Sequence, residues 1–269
     1  MNGLAGQDWQ RDLDLIAEAA RQAGEVALAY FRQSPEVWWK NEGRSPVSAA
    51  DLAANETLAA LLRPARPAYG WLSEETDDDA ERLGRETLFV VDPIDGTRGF
   101  LSGLENWCVS VAVVSKGRPV AGVLFAPALN ELFTAVAGGE TRKNGAVIRV
   151  AERAPEETRR LAVSEDMLAS LDPAFRERVT RVKHVPSLAY RLAMVADGRL
   201  EGTLVKRNAH DWDLAAADLI LERAGGALTD LDGRSLVYNR AHVVHGELCG
   251  AVLPCQEAFL TQLAHRREG

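Results

Sequence analysis

The stretch Thr87-Leu88-Phe89-Val90-Val91-Asp92-Pro93-Ile94-Asp95-Gly96-Thr97 decides how the rest of the chain is read. Its first five residues form a short apolar run rich in β-formers and bounded by Asp92-Pro93, so they read as a buried strand. The polar continuation sits at the strand end, where open sheets place ligand-binding loops. Pro93 fixes the backbone between two carboxylates three positions apart, and Gly96 permits a tight turn. Two carboxylates on a rigid turn suit a hard divalent cation, which takes oxygen ligands. The successive backbone N–H groups of Gly96 and Thr97 suit a phosphate. Pro-Ile-Asp-Gly alone is an ordinary reverse turn; the seven residues from Val91 to Thr97 after a strand are far more specific.

Around this stretch the apolar pattern alternates between two periods. Upstream, Asp8 to Phe31 repeats Ile16, Ala20, Ala23, Ala27 and Tyr30 at helical spacing, and Ser34-Pro35 ends it. Val37 to Lys40 is a short strand, with Trp38-Trp39 expected in the core, and 41–46 is loop by composition. Ala49 to Leu62 is a second helix with Leu52, Leu58, Ala59 and Leu62 inward, ending before Pro64. Tyr69 to Leu72 is a strand leading into Ser73-Glu74-Glu75, and the acidic run from Asp77 reads as a solvated face. Downstream, the apolar runs at 107–115, 119–125 and 132–137 have the look of an antiparallel meander. The polar segment at 151–160 marks a boundary near residue 150. It separates an N-terminal α+β half (1–150) from a smaller α/β half (151–269), with helices near 173–180, 187–196, 214–224 and 255–265.

The 269 residues are 46% hydrophobic and 26% charged, the mix of an ordinary globular chain, which excludes disorder and fibrous repeats. No apolar run approaches the ~18–20 residues of a membrane span, and the first ten residues lack a signal peptide's basic start and apolar stretch. Three cysteines without a CxxC pattern suit reduced thiols, so a cytoplasmic location is expected. The balance of 31 basic against 39 acidic residues, −8 overall, argues against a nucleic-acid polymer as partner. An anionic small molecule stays admissible, because a bound cation can invert the local field.

Three more segments carry acidic residues of interest. Glu74-Glu75 alone would be a solvated loop, and Asp213, before an Ala- and Leu-rich helix, would alone be an N-cap. Asp211 competes with it, although the Trp212-Asp213 pairing favours Asp213. Asp51 alone is a first-turn residue favoured by the helix dipole. His242 and His245 lack partners at zinc-like spacing and read as structural or surface residues. No nucleotide-binding glycine loop occurs.

Asp92-Pro93-Ile94-Asp95-Gly96-Thr97 resembles the signature of the inositol monophosphatase superfamily of magnesium-dependent, lithium-sensitive phosphatases. Trp71 to Thr76 resembles that family's Glu-Glu metal loop, and Trp212-Asp213 through Gly226 its second signature. Ser45 to Asp51 is similar to the segment whose Asp pairs with the motif's Thr. The resemblance covers nearly the whole chain. It implies a mixed α+β fold, a layered αβαβα sandwich, with the site between the halves. It also implies Mg²⁺, two or three ions per site, held by Glu74, Asp92, the Ile94 carbonyl, Asp95 and Asp213, with Glu75 orienting them. Asp51 and Thr97 would prepare the attacking water, and Asp95, Gly96 and Thr97 would meet the phosphate.

Within the superfamily, Ser73-Glu74-Glu75 and Thr97-Arg98 look more like the bacterial 3'(2'),5'-bisphosphate nucleotidase branch than the inositol phosphatases. Lys206, seven residues before Asp213, stands where inositol phosphatases tend to carry a glutamate. Arg98, Lys206 and Arg207 then suit a substrate with extra negative charge, though Arg98 also reads as a solvated arginine. The expectation is hydrolysis of adenosine 3',5'-bisphosphate to AMP and phosphate. Inositol 1-phosphate or a related sugar phosphate is the alternative, and a metal-dependent regulatory binding module the non-enzyme one. Many relatives pair as homodimers, but no apolar stripe in this sequence marks such an interface.

Overall fold

A computed structural model describes residues 9–40, 45–152, 159–183 and 185–264. In chain order, helix α1 (Trp9–Tyr30) is followed by the hairpin β1 (Val37–Lys40) and β2 (Ser45–Ser48), then α2 (Ala49–Ala65). Next come β3 (Gly70–Ser73), β4 (Thr87–Asp95), the short helix α3 (Thr97–Leu101), β5 (Cys108–Ser115), β6 (Arg118–Ala126), β7 (Glu131–Val136), β8 (Arg142–Lys143) and β9 (Ala146–Val147). The C-terminal part holds β10 (Arg159–Ala162), α4 (Glu165–Ala169), α5 (Pro173–Arg176), β11 (Val179–Arg181), α6 (Leu188–Ala196) and β12 (Gly202–Val205). It closes with α7 (Asp211–Ala224), β13 (Gly226–Asp230), β14 (Leu248–Val252) and α8 (Leu253–Ala264).

Among the described residues, two large sheets and three helical layers result, beside the separate β1-β2 ribbon. The larger sheet has the order β3-β4-β5-β6-β7-β8-β9, with β3 and β4 parallel and every later pair antiparallel, so the expected meander is present. The smaller has the order β11-β10-β12-β14-β13, parallel from β11 to β12 and antiparallel beyond. Helices α1 and α2 cover one face of the larger sheet, α6 and α7 lie between the sheets, and α8 covers the far face of the smaller one. This is the αβαβα sandwich. Because β4 and β5 are covered on both faces, every residue of both strands is buried, which explains their unbroken apolar runs.

The packing comes very close where α7 crosses the large sheet. A Cβ on Gly122 of β6 would lie 2.9 Å from the carbonyl oxygen of Ala216 in α7. Glycine opposite the alanine run Ala215-Ala216-Ala217 lets helix and strand approach backbone to backbone.

Several expectations need correction. Strand β4 does not stop at Val91 but runs through Asp95, and the turn begins only at Gly96. Helix α2 continues through Pro64 for a last residue, because the Arg66 N–H still reaches the Leu62 carbonyl at 3.1 Å. Leu52 is exposed, since the inward stripe of α2 is Ala50, Asp51, Ala54, Leu58 and Leu62. Trp38 and Trp39 are exposed at 42% and 59%, lying on the two-stranded β1-β2 ribbon, which joins neither large sheet. Ser45-Pro46 is the start of β2 rather than loop, while 41–44 lie outside the described residues. Residues 179–181 are strand β11, so the helix starting at Pro173 is a single turn. The acidic run is not only a solvated face, because Asp78 anchors the buried Arg82, which also donates to the Arg240 carbonyl at 3.1 Å. Most of the linker expected at 151–160, including Pro155, lies outside the described residues.

Candidate active site

Asp92 and Asp95 would point to opposite faces of a regular strand, because they are an odd number of residues apart. The pairing of β4 with β5 removes that obstacle. Asp92 lies opposite Ser110 and Asp95 opposite Cys108, so three steps on β4 match two on β5. The extra residue is a bulge, and it turns both carboxylates to one side. The Ile94 N–H donates to Asp92 Oδ1 at 3.0 Å and holds that carboxylate across the bulge.

A third carboxylate arrives from the other end of the chain. Asp213 sits at the third position of α7, where its Oδ2 accepts the His210 N–H at 2.7 Å. His210 is therefore the cap residue and Asp213 its capping-box partner, which corrects the sequence assignment of Asp213 as N-cap. Ligand oxygens of Asp92, Asp95 and Asp213 all lie within 4.8 Å of one another. Asp211 is excluded from this group. It is fully buried, accepts the Asn239 N–H at 2.9 Å and pairs with His245 Nε2 at 2.7 Å, which gives His245 the structural role expected of it.

Burial and like charge act together on this cluster. Burial, then the neighbouring Glu74, Asp95 and Asp213, push the Asp92 carboxyl well above the usual range. Burial and Asp213 raise Asp95 to about 7. Glu74, at the end of β3, is raised to about 8 by burial and by Asp213 and Glu75. Carboxyl groups this close cannot all ionise without a cation among them. The all-oxygen donor set fits a hard ion such as Mg²⁺ and not a thiolate- or imidazole-seeking metal.

Neighbouring groups position the cluster. Asp95 Oδ2 accepts from the Ser187 hydroxyl and, at 2.6 Å, from the Ala189 N–H, so it is docked on the first turn of α6. The Glu74 N–H donates to the Val91 carbonyl at 3.2 Å, tying the end of β3 to β4. Glu75 forms a hydrogen-bonded ion pair with Lys40 of β1, although burial still raises its carboxyl. Thr97 Oγ1 donates to Asp51 Oδ1 at 3.1 Å or to the Ile94 carbonyl, also at 3.1 Å. Asp51 in turn accepts from the Ser48 N–H at 2.8 Å and the Ser48 hydroxyl at 2.6 Å.

Thus Asp51, Glu74, Glu75, Asp92, Ile94, Asp95, Thr97 and Asp213 are brought together from α2, the loop after β3, β4, α3 and α7. Gly96 has φ 96° and forms the cap of α3, and a Cβ there would meet the Ser187 backbone at 3.1 Å. The basic residues are dispersed. Arg98 is exposed on α3, Lys206 is exposed and pairs with Asp166 at 2.9 Å, and Arg207 lines a separate pocket with Asp230, Arg234 and His245. Lys40, Ser187 and Ala189 escaped the sequence reading, since only tertiary packing brings them to the cluster. The Ser48-x-x-Asp51 spacing was a legible capping-box signal.

Three comparisons bear on this geometry. The profile described as "Inositol monophosphatase family" matches residues 8–267. An inositol-1-monophosphatase of Mesorhizobium japonicum is 34% identical over 245 residues, 87% of this chain and 91% of the relative. A histidinol-phosphatase of Chlorobaculum parvum is 33% identical over 235 residues, 85% of this chain and 89% of the relative. Among solved structures, the extragenic suppressor protein suhB of Bartonella henselae superposes with a TM-score of 0.82 at 28% identity, covering 94% of this chain and 98% of that one.

Proposed function

Because the chain belongs to the inositol monophosphatase family of metal-dependent phosphatases, we propose that it hydrolyses a small phosphate monoester with Mg²⁺, most specifically adenosine 3',5'-bisphosphate to AMP and phosphate. The observation that carries the chemistry is the convergence of Asp92, Asp95 and Asp213 within 4.8 Å beside the Asp51–Thr97 pair.

Glu74, Asp92, the Ile94 carbonyl, Asp95 and Asp213 are the residues that would hold the ions. Bound there, Mg²⁺ would supply charge neutralisation for the phosphoryl oxygens and acidify a water. The remaining work belongs to the chain. Asp51, fixed by Ser48, accepts the Thr97 hydroxyl proton and leaves an oxygen lone pair of Thr97 free to receive a proton from the attacking water. The N–H groups of Gly96 and Thr97 face the phosphate, and Glu75 with Lys40 holds the Glu74 loop.

Inositol 1-phosphate is the second reading, favoured by the 34% identity to an inositol-1-monophosphatase. The test is phosphate release with Mg²⁺ from adenosine 3',5'-bisphosphate and inositol 1-phosphate, compared by kcat/KM. A preference for the nucleotide is expected; a preference for inositol 1-phosphate would select the second reading. Asp92→Asn should lose orders of magnitude in turnover with an unchanged circular dichroism spectrum. Equal rates for wild type and variant would sink the hydrolase reading altogether.

A further inference from the structure

A pocket of about 240 Å³ is walled by Val163, Met167, Val185 and Leu204 and carries two cations, Arg191, which feels the field of Asp95, and Lys206. It lies past the ends of the parallel strands β10 and β12, the usual place for a ligand in such a sheet. The same elements that deliver the carboxylates bound it. Arg191 is one turn into α6, whose first turn grips Asp95, and its N–H donates to the Ser187 carbonyl at 3.2 Å. Lys206 precedes the loop to α7, which carries Asp213.

The two cations differ in one respect. Lys206 is exposed and already neutralised by Asp166, whose oxygens lie 2.9 and 3.0 Å from its Nζ. Arg191 Nε is buried and has no hydrogen-bond partner among the described residues. Burial works against its charge, and only the field of Asp95 works for it. A cationic N–H without an acceptor in a half-apolar wall is costly, so its natural complement is an anion brought by a ligand. Asp95 cannot fill that role while its carboxylate is committed to the first turn of α6 and to the cluster.

We propose that this pocket receives the alcohol part of the substrate and that Arg191 binds a second anionic group on it, a phosphate or a carboxylate. The inference rests on the phosphatase reading and narrows it to esters whose leaving group carries its own negative charge. It moves the specificity role from Lys206 and Arg207 to Arg191. It also disfavours a cationic amino alcohol, which would be brought against the Arg191 guanidinium.

The experiment compares wild type, Arg191→Ala and Arg191→Lys on adenosine 3',5'-bisphosphate, 3-phosphoglycerate and inositol 1-phosphate. Arg191→Ala should lose about 10–100-fold in kcat/KM on esters with a second anion, the worth of one charged hydrogen bond, and less than about threefold on inositol 1-phosphate. Arg191→Lys should recover part of the loss. A loss confined to the bisphosphate identifies a phosphate as the second group, and one confined to phosphoglycerate identifies a carboxylate. Equal losses on all three esters, or no loss on any, would overturn the proposal. A second readout needs no turnover: in metal-free protein, AMP should raise the melting temperature of wild type and not of Arg191→Ala. An equal rise in both overturns the pocket assignment, even if wild type proves inactive on every ester and the phosphatase reading itself falls.

Discussion

Thr97 shows how much a single side chain depends on its neighbours. A threonine hydroxyl is a poor base, and the role proposed for Thr97 rests on its having two acceptors for its proton, Asp51 Oδ1 and the Ile94 carbonyl. Asp51 can accept that proton because Ser48 holds it with two hydrogen bonds, even though burial raises its carboxyl above the usual range. Thr97→Ala should therefore lower kcat by about 10²–10⁴-fold with little change in KM, as loss of a proton-transfer partner does. Thr97→Ser, which keeps the hydroxyl, should retain most of the rate. Steady-state kinetics on the preferred ester decides this, and an unimpaired alanine variant would remove Thr97 from the proton path.

Between elements, the site depends on close approach. The bulge in β4 turns two carboxylates to one side, α6 caps one of them, and α7 supplies the third. For α7 to sit this close, β6 must offer Gly122 under Ala216. Gly122→Ala forces a methyl group into 2.9 Å contact with a backbone carbonyl, which the helix can relieve only by moving away. Overpacking of this kind costs about 1–3 kcal/mol. A chemical-denaturation midpoint should fall accordingly, and the Mg²⁺ requirement for turnover should rise as Asp213 shifts. Wild-type stability in this variant would mean that the layers are more pliant than the contact implies.

For the whole molecule, stability and cation binding are one equilibrium. In metal-free protein Glu74 rises from 4.5 to about 8 and Asp95 from 3.8 to about 7, so the folded chain binds more protons than the unfolded chain across that window. Stability from these groups is fully present below about pH 4 and is lost as pH rises through 7 to 8. The melting temperature in chelator should thus fall between pH 5 and pH 8. Mg²⁺, proposed to bind the ionised folded form, should raise it more at pH 8 than at pH 5; at 100-fold excess over Kd the gain is about 2.7 kcal/mol. Calorimetry across that range checks the sign. A melting temperature that climbs with pH in chelator would show that the cluster is already neutralised by the protein.

Local chemistry was legible where it is encoded in neighbouring residues. The unbroken apolar run before Asp92 announced a strand buried on both faces, the helical spacing of Ile16, Ala20, Ala23 and Ala27 announced α1, and the ordered acidic motifs announced a cation site. Periodicity alone reached only a mixed α and β chain; the five layers came from the likeness to a family. Other features were out of reach because they depend on residues far apart in the chain. The bulge is defined by Ser110 and Cys108 on a partner strand, the grip on Asp95 by Ser187 and Ala189, and the choice of Asp213 over Asp211 by Asn239 and His245. Charge also misleads in one dimension. Lys206 and Arg207 are adjacent basic residues, yet one is neutralised by Asp166 and the other lines a different pocket, while Arg191, inconspicuous in a helix, keeps a buried Nε without a hydrogen-bond partner among the described residues. Whether a charge is free to bind depends on burial and on what else reaches it, and packing settles both.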